Sequence, residues 1–86
     1  MVITWDERKR LANLAKHGLD FSDLTPEFFQ SSIVFPAKAG RHLAIGRMGN
    51  VYFAAVVFVP LGSEAISVVS MRPASKKERD YARKKA

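Results

Sequence analysis

The stretch WDERKRLANLAKHGLDF, residues 5–21, concentrates basic side chains in one predicted helix: Arg8, Lys9, Arg10, Lys16 and His17. Lysine and arginine can hold a phosphate by charge and hydrogen bonds, and an imidazole can take or give a proton near neutral pH. These are the groups that RNA cleavage needs when the 2′-hydroxyl attacks the adjacent phosphate. A helical wheel, however, places one polar set opposite an apolar set, which by itself favours an ordinary solvated face. The polar set is Asp6, Lys9, Asn13, Lys16 and His17, and the apolar set is Leu11, Leu14 and Ala15.

Arginines elsewhere in the chain are further candidates for phosphate binding. Arg72 ends an apolar run just before Pro73, and strand alternation puts it on the face of Ile66, Val68 and Ser70. Such an arginine is either paired and partly buried or a phosphate clamp, and both interpretations stay open. Arg41 and Arg47 flank another predicted strand, and an exposed arginine at a turn, such as Arg47, is unremarkable.

Other chemistries have little support. The chain has no cysteine, which excludes disulfides, thiolate nucleophiles and cysteine-bound zinc. His17 and His42 with scattered carboxylates show no metal-ligand spacing, so we expect neither a metal nor another cofactor. The N-terminus lacks the pattern of a signal peptide, and the longest apolar run, residues 51–61, is too short for a membrane helix. We therefore expect a cytoplasmic protein that does not enter a membrane.

The excess positive charge lies at the two ends of the chain. The net charge is +6, of which residues 1–19 carry +2, residues 20–74 carry zero and residues 75–86 carry +4. If the ends meet in the fold, they create a field that attracts polyanions. The C-terminal candidates for RNA binding are Lys76, Lys77, Arg79 and Arg83.

The elements that must position these side chains follow the order β-α-α-β-β-β-β-α within a single domain, residues 1–86. An edge strand at residues 2–4 precedes a helix that a Thr4–Glu7 capping box starts and Gly18 ends. A second helix within residues 21–31 is expected to be irregular or restarted near Pro26. Four strands follow, of which the last three form an antiparallel meander with an apolar central strand.

A second capping box, Ser75 with Glu78, predicts a C-terminal helix through about Lys84. The predicted fold class is therefore α+β, with two N-terminal helices and this C-terminal helix packed on a curled antiparallel sheet.

Four stretches together resemble the BrnT family of toxins from type II toxin–antitoxin pairs: WDERKRLANLAKHGLDF, RHLAIGR, AAVVF and ISVVSMRPASKKERDYA. The resemblance implies a small RelE-like fold and a metal-independent endoribonuclease that inhibits translation, acting on RNA either free or on the ribosome. It also implies a ribbon-helix-helix (BrnA-like) antitoxin as partner, with DNA bound only through that antitoxin. The sequence leaves a homodimer open.

The resemblance also implies which side chains take part in catalysis. The polar positions that match the family pattern are Glu7, Lys9, Asn13, Lys16, His17, Arg41, Arg72, Glu78, Arg79 and Tyr81. Among them the expected catalytic group is Lys9, Lys16, His17, Arg41 and Arg72. In this hypothesis Arg72 and Arg41 clamp the phosphate, and His17 or Lys16 moves protons.

The chain departs from the family pattern at three sites, one of which is Pro26, which interrupts a normally smoother second helix. Gly40 stands where an acidic residue is common, and residues 58–62 read FVPLG where a Tyr-Thr-x-Arg segment is usual. Two alternatives therefore stay open. One is a catalytically degenerate toxin that still binds its antitoxin, and the other is a non-catalytic RNA- or ribosome-binding module.

Overall fold

A computed structural model describes residues 1–85 and has an α+β fold with one five-stranded sheet. The strands are β1 (Val2–Trp5), β2 (Ile33–Pro36), β3 (His42–Met48), β4 (Tyr52–Leu61) and β5 (Ala65–Pro73). The helices are α1 (Glu7–His17), α2 (Pro26–Ser31) and α3 (Lys76–Lys85), with 3₁₀ turns at Phe21–Asp23 and Lys38–Gly40. Within the described residues, none of the helices has the length and apolar character that crossing a membrane requires.

The sheet has the order β1-β5-β4-β3-β2. Strands β3, β4 and β5 form the predicted antiparallel meander, and β4 is central as expected. The expectation of a wholly antiparallel sheet is wrong at one edge, because β1 runs parallel to β5 with Val2 opposite Ala65. These two strands are separated by most of the chain, so no tight hairpin dictates their relative direction.

Each face of the sheet carries its own apolar cluster. On the first face, the 3₁₀ turn and α2 bury side chains against the sheet: Phe21, Leu24, Phe28 and Phe29 with Val56, Phe58, Ile66, Val68 and Met71 among others. On the second face, α3 covers a smaller cluster of Ile45, Phe53, Ala74 and Ala82. The cover on both faces explains why β4 is apolar from Phe53 to Phe58, whereas Pro60 and Leu61 at its end are exposed.

A β-bulge in β5 decides which face Arg72 occupies. Val57 pairs with Ser70 and Phe58 pairs with Val68, so Val69 has no partner of its own in the ladder. The extra residue reverses the alternation that follows it. Met71 therefore joins Val68 on the first face, and Arg72 projects to the second, where α3 lies. The sequence-based placement of Arg72 on the face of Ile66 and Val68 is wrong for this reason.

The helix ends agree with the sequence in all but one case. Gly18 ends α1 with φ 71°, and the first turn of α2 has Thr25 as its cap and Pro26 directly after it. The Ser75–Glu78 capping box is present, with Ser75 N donating to Glu78 Oε1 at 2.8 Å. The exception is the start of α1.

The cap of α1 is Asp6, whose carboxylate accepts from Arg8 N at 2.8 Å. Thr4 instead belongs to β1 and its hydroxyl donates to Ile66 O at 2.8 Å, so the predicted Thr4–Glu7 capping box is wrong. The pairing of β1 with β5 keeps residues 2–5 extended and moves the helix start to Glu7.

Candidate nucleic-acid interface

Helix α1 presents its polar side to the sheet. Asn13 is 7% exposed, whereas Leu11 and Leu14 are 52% and 37% exposed. This is the reverse of the expectation from the helical wheel, in which the Asn13 side was the solvated face. The reason lies in what the sheet offers to this helix.

Beyond β1, the edge of β5 has unpaired backbone groups, and Asn13 bonds to them. The last β1 residue, Trp5, pairs with Val68, so Met71 has no strand neighbour on that side. The Asn13 amide donates to Met71 O at 2.8 Å, and Met71 N donates to Asn13 Oδ1 at 3.0 Å. Asn13 also donates to Leu19 O at 3.1 Å. One side chain thus replaces a strand, which satisfies buried backbone groups that would be costly to leave unpaired.

The hydrogen bonds of Asn13 determine where the basic residues of α1 point. At about 100° per residue, Arg10 and His17 lie on one flank of Asn13, and Lys9 and Lys16 lie on the other. Arg10 reaches Asp20, which leads into the 3₁₀ turn on the first face. The flank with Lys9 and Lys16 lies on the other side of Asn13 from this Arg10–Asp20 contact. Both lysines are exposed, and His17 on the opposite flank is half-buried.

Arg10 has a structural role in this arrangement. Its guanidinium bonds to Glu7 at 2.6 Å and to Asp20 at 3.0 Å. The hydrogen bond from Arg10 is the largest cause that lowers the pKa of the Glu7 carboxyl. The pKa of Asp20 is lowered chiefly by the backbone amide of Ser22, with Arg10 contributing. Two carboxylates already occupy Arg10, so it is a poor candidate for binding phosphate.

Arg72 forms a two-point ion pair with Glu78 of α3. Its Nη1 and Nη2 donate to the two carboxylate oxygens at 2.7 and 2.9 Å, and Nη1 also donates to Pro73 O. The pair holds the pKa of Glu78 at about 2, and backbone and hydroxyl donation from Ser75 adds to that effect. Of the two interpretations of Arg72, the paired one describes this contact.

The ion pair with Glu78 leaves part of the Arg72 guanidinium without a hydrogen-bond partner. Of its five N–H groups, Nε and one hydrogen of Nη2 have no hydrogen-bond partner among residues 1–85. The Arg72 side chain is 41% exposed and the Glu78 side chain 19%. Arg72 can thus donate hydrogen bonds to a phosphate from Nε and Nη2 while Nη1 and the other Nη2 hydrogen remain bonded to Glu78.

Arg41 lies at the other end of the sheet. Arg72 is level with Ala55 and Ile45 across the strands, and Arg41 precedes Ile45 by four residues. From the strand rise and spacing, the Cα atoms of Arg41 and Arg72 are about 17 Å apart. A phosphate shared by the two arginines would therefore require both side chains to extend fully towards each other. The altered segment 58–62 begins at the same end of the sheet as Arg41, because Phe58 pairs with His42.

The four basic candidates of α3 differ in their surroundings. Lys76 bonds to Asp80 at 3.0 Å, and Arg83 lies 3.7 Å from the same carboxylate. Lys77 is exposed, and Arg79 donates to Ala74 O at 2.8 Å. Of α3, Glu78 in the first turn is the residue that bonds to Arg72 among the described residues.

One residue that the sequence analysis set aside belongs with this group. The guanidinium of Arg47 lies 4.7 Å from the centre of the Phe53 ring, on the face that α3 covers. The sequence contained a signal for this position, because Arg47 follows Ile45 by two residues and so shares its face of β3.

Comparisons with known proteins agree with this architecture. A family model described as "Ribonuclease toxin, BrnT, of type II toxin-antitoxin system" matches residues 5–78. The 1.1 Å crystal structure of the Brucella abortus ribonuclease toxin BrnT superposes with a TM-score of 0.84 and 59% sequence identity. That alignment covers 88% of this chain and 99% of the Brucella chain. No curated protein sequence is similar enough to count as a match.

Proposed function

Because the chain belongs to the BrnT family of ribonuclease toxins of type II toxin–antitoxin systems, we propose that it cleaves RNA without a metal ion and so inhibits translation. The observation that carries the proposal is the free edge of Arg72 on the second face. From the helical wheel around Asn13 we infer that the flank of α1 with Lys9 and Lys16 is turned to the same side. Cationic donors at such a place can take up the charge that develops on a phosphate during cleavage.

The proposed mechanism uses three side chains. Arg72 binds the two non-bridging oxygens of the phosphate through Nε and Nη2. Lys16 assists the proton transfers, taking the proton of the attacking 2′-hydroxyl and returning a proton to the leaving 5′-oxygen, and Lys9 adds positive charge two helical turns away. His17 is the second candidate for proton transfer, and its place on the opposite flank of Asn13 makes Lys16 the better one.

Glu78 acts in this proposal as a positioning residue. Its two-point contact fixes the plane of the Arg72 guanidinium, so the free edge points in one direction before RNA arrives. Preorganised charge of this kind needs little rearrangement in the transition state.

The remaining basic residues would contact other parts of the strand. Because the Cα atoms of Arg41 and Arg72 are about 17 Å apart, we assign Arg41 to a phosphate further along the RNA. Lys76, Lys77, Arg79 and Arg83 extend the positive surface from Arg72 along α3. RNA binding through them would weaken with salt.

The proposed partner is a ribbon-helix-helix antitoxin of the BrnA-like kind, through which the complex would bind DNA. Family membership supports an antitoxin, and its class rests on the resemblance alone. A toxin that blocks translation would act in the cytoplasm. Size-exclusion chromatography with light scattering on the purified chain would decide between monomer and homodimer.

The decisive experiment is cleavage of a defined RNA in excess EDTA by the purified chain and by three variants. Arg72→Lys keeps the charge and loses the planar fork, Lys16→Ala removes the proposed proton-transfer group, and His17→Ala removes its rival. We expect losses of at least about tenfold for Arg72→Lys and Lys16→Ala, and a smaller loss for His17→Ala. Lys38→Ala, at the other end of the sheet, is the control for net charge.

Each outcome distinguishes among the alternatives. Cleavage that requires added metal would refute the metal-independent mechanism. Absence of cleavage on free RNA and on translating ribosomes, with intact antitoxin binding, would establish the degenerate toxin. Salt-sensitive RNA binding without cleavage would establish the binding module. Inhibition of a cell-free translation reaction, lost in Arg72→Lys, would link cleavage to translation.

A further inference from the structure

A basic cleft lies on the second face of the sheet, between α3 and the β3–β4 hairpin. Its volume is about 450 Å³. Three arginines from three places in the chain converge on it: Arg47 from β3, and Arg79 and Arg83 from consecutive turns of α3. Of the residues from 1–85 that line this cleft, none is Asp or Glu.

We propose that this arginine cleft, formed by Arg47, Arg79 and Arg83 around Phe53, binds phosphate groups of the RNA backbone beside the cleavage site. The proposal rests on the proposed function in taking RNA as the ligand. The charge at the C-terminal end already made Arg79 and Arg83 candidates for RNA binding, and the structure adds Arg47, which comes from the electrically neutral middle of the sequence, and joins the three in one cleft.

The first argument is electrostatic. Arg47 and Arg79 make no ion pair with any Asp or Glu side chain of residues 1–85, and the contact of Arg83 with Asp80 is long at 3.7 Å. Arg10 and Arg72, by contrast, each bond to a carboxylate at 3.0 Å or less. Asp80 offsets part of the charge of Arg79 and Arg83 but does not line the cleft, so the three guanidinium groups there still repel one another and an anion would relieve that repulsion.

The second argument is preorganisation. The guanidinium groups of Arg47 and Arg83 lie 4.7 and 5.4 Å from the centre of the Phe53 ring. Phe53 is buried at 8% exposure, so it is a fixed support for both side chains. A cation held on an aromatic ring keeps its outward N–H groups free and loses less conformational freedom on binding. Arg79 is held separately by its bond to Ala74 O.

The third argument is position. Pro73 and Ala74 line the cleft and directly follow Arg72, and Arg79 directly follows Glu78. By strand rise and spacing, the Cα atom of Arg47 lies about 12 Å from that of Arg72. A short run of RNA with one phosphate at Arg72 can place a neighbouring phosphate in the cleft. Arginine forks suit phosphate oxygens better than a point charge does.

The test measures binding of a fluorescent 2′-O-methyl RNA oligonucleotide, which has no attacking hydroxyl and separates binding from cleavage. Fluorescence anisotropy is recorded over a range of salt for the full chain, for Arg47→Gln and for Arg47→Gln/Arg83→Gln. We expect affinity to fall about fivefold for the single variant and about 30-fold for the double variant. The salt slope should fall by about one for each arginine.

Lys38→Gln is the matched control, because it removes one charge at the opposite end of β3. We expect less than a twofold change for it, and a thermal melt of each variant checks that the fold is intact. Unchanged binding by Arg47→Gln, or an equal loss in Lys38→Gln, would overturn the proposal. A charge-matched oligoglutamate that loses affinity in Arg47→Gln while RNA does not would assign the cleft to an acidic protein segment and also overturn it.

The result is separable from the proposed function. If the chain cleaves no RNA but the Arg47 variants lose affinity for 2′-O-methyl RNA, the cleft proposal stands and the catalytic one fails. If the chain cleaves RNA in EDTA and the Arg47 variants bind normally, only the cleft proposal fails.

Discussion

Replacement of Asn13 by alanine tests the role of this side chain as a substitute for a strand. The change removes three hydrogen bonds, two to Met71 and one to Leu19 O, each with a net contribution of about 1 kcal/mol. It also leaves the backbone N–H and C=O of Met71, a residue that is 0% exposed, without those partners. Alanine recovers about 0.5 kcal/mol through its better helix propensity.

We expect Asn13→Ala to lower the free energy of unfolding by about 2–4 kcal/mol. For a domain of this size, that corresponds to a fall in Tm of about 10–25 °C. The measurement is urea denaturation followed by circular dichroism, with a thermal melt under the same conditions.

Leu11→Ala is the matched control in the same helix. Leu11 is 52% exposed, so we expect its loss to cost less than about 1 kcal/mol. A helical wheel drawn from the sequence predicts the opposite ranking, with leucine buried and asparagine solvated. If Asn13→Ala costs no more than Leu11→Ala, the account of α1 docking by its polar side is refuted.

Two further predictions concern the second-face ion pair and the contact of β3 with α2. The folded pKa of Glu78, about 2, lies below its ordinary value of 4.5, so its stabilising effect is present above pH 4.5 and lost as the pH falls towards 2. Because Arg72 is 41% exposed, we expect Glu78→Gln to cost about 1–2 kcal/mol at pH 7. Urea melts at pH 7 and 2.5 should show the gap between wild type and variant shrinking at low pH, and a constant gap would contradict this reasoning. Separately, a Cβ at Gly46 would lie 3.0 Å from Ser32 Cβ and 3.1 Å from Phe28 Cε1. Gly46→Ala should therefore lower the free energy of unfolding by about 1–3 kcal/mol and lower Tm in a thermal melt. An unchanged Tm would show that α2 moves aside at little cost.

The identity of most elements could be predicted from local patterns. The apolar run of β4 predicted a strand covered on both faces, and the short glycine-containing turns on either side predicted the meander. Gly18, Pro26 and the Ser75–Glu78 pair marked helix ends, because these residues act within one turn of where they stand in the sequence. Composition likewise limited the chemistry, since a chain without cysteine has no thiolate to offer.

The candidate site could be predicted only in part. The sequence named Lys9, Lys16 and Arg72 as candidates, and their grouping into one catalytic site stays a prediction; the structure shows Lys9 and Lys16 exposed and Arg72 bonded to Glu78. It could not reveal that Arg41 is about 17 Å from Arg72, because that distance depends on strand register. Nor could the sequence reveal that Arg47 lines a cleft with Arg79 and Arg83, because these residues of α3 lie more than thirty residues further along the chain.

The sequence by itself thus determined the fold class, the helix ends that local caps define, and the supply of cationic side chains. Only the tertiary structure decided how those side chains are directed. One unpaired residue, Val69, turns Arg72 to the face of α3, and the free edge of β5 draws in Asn13 and reverses the orientation of α1. Both outcomes arise from backbone hydrogen bonds between distant segments, which side-chain periodicity does not encode.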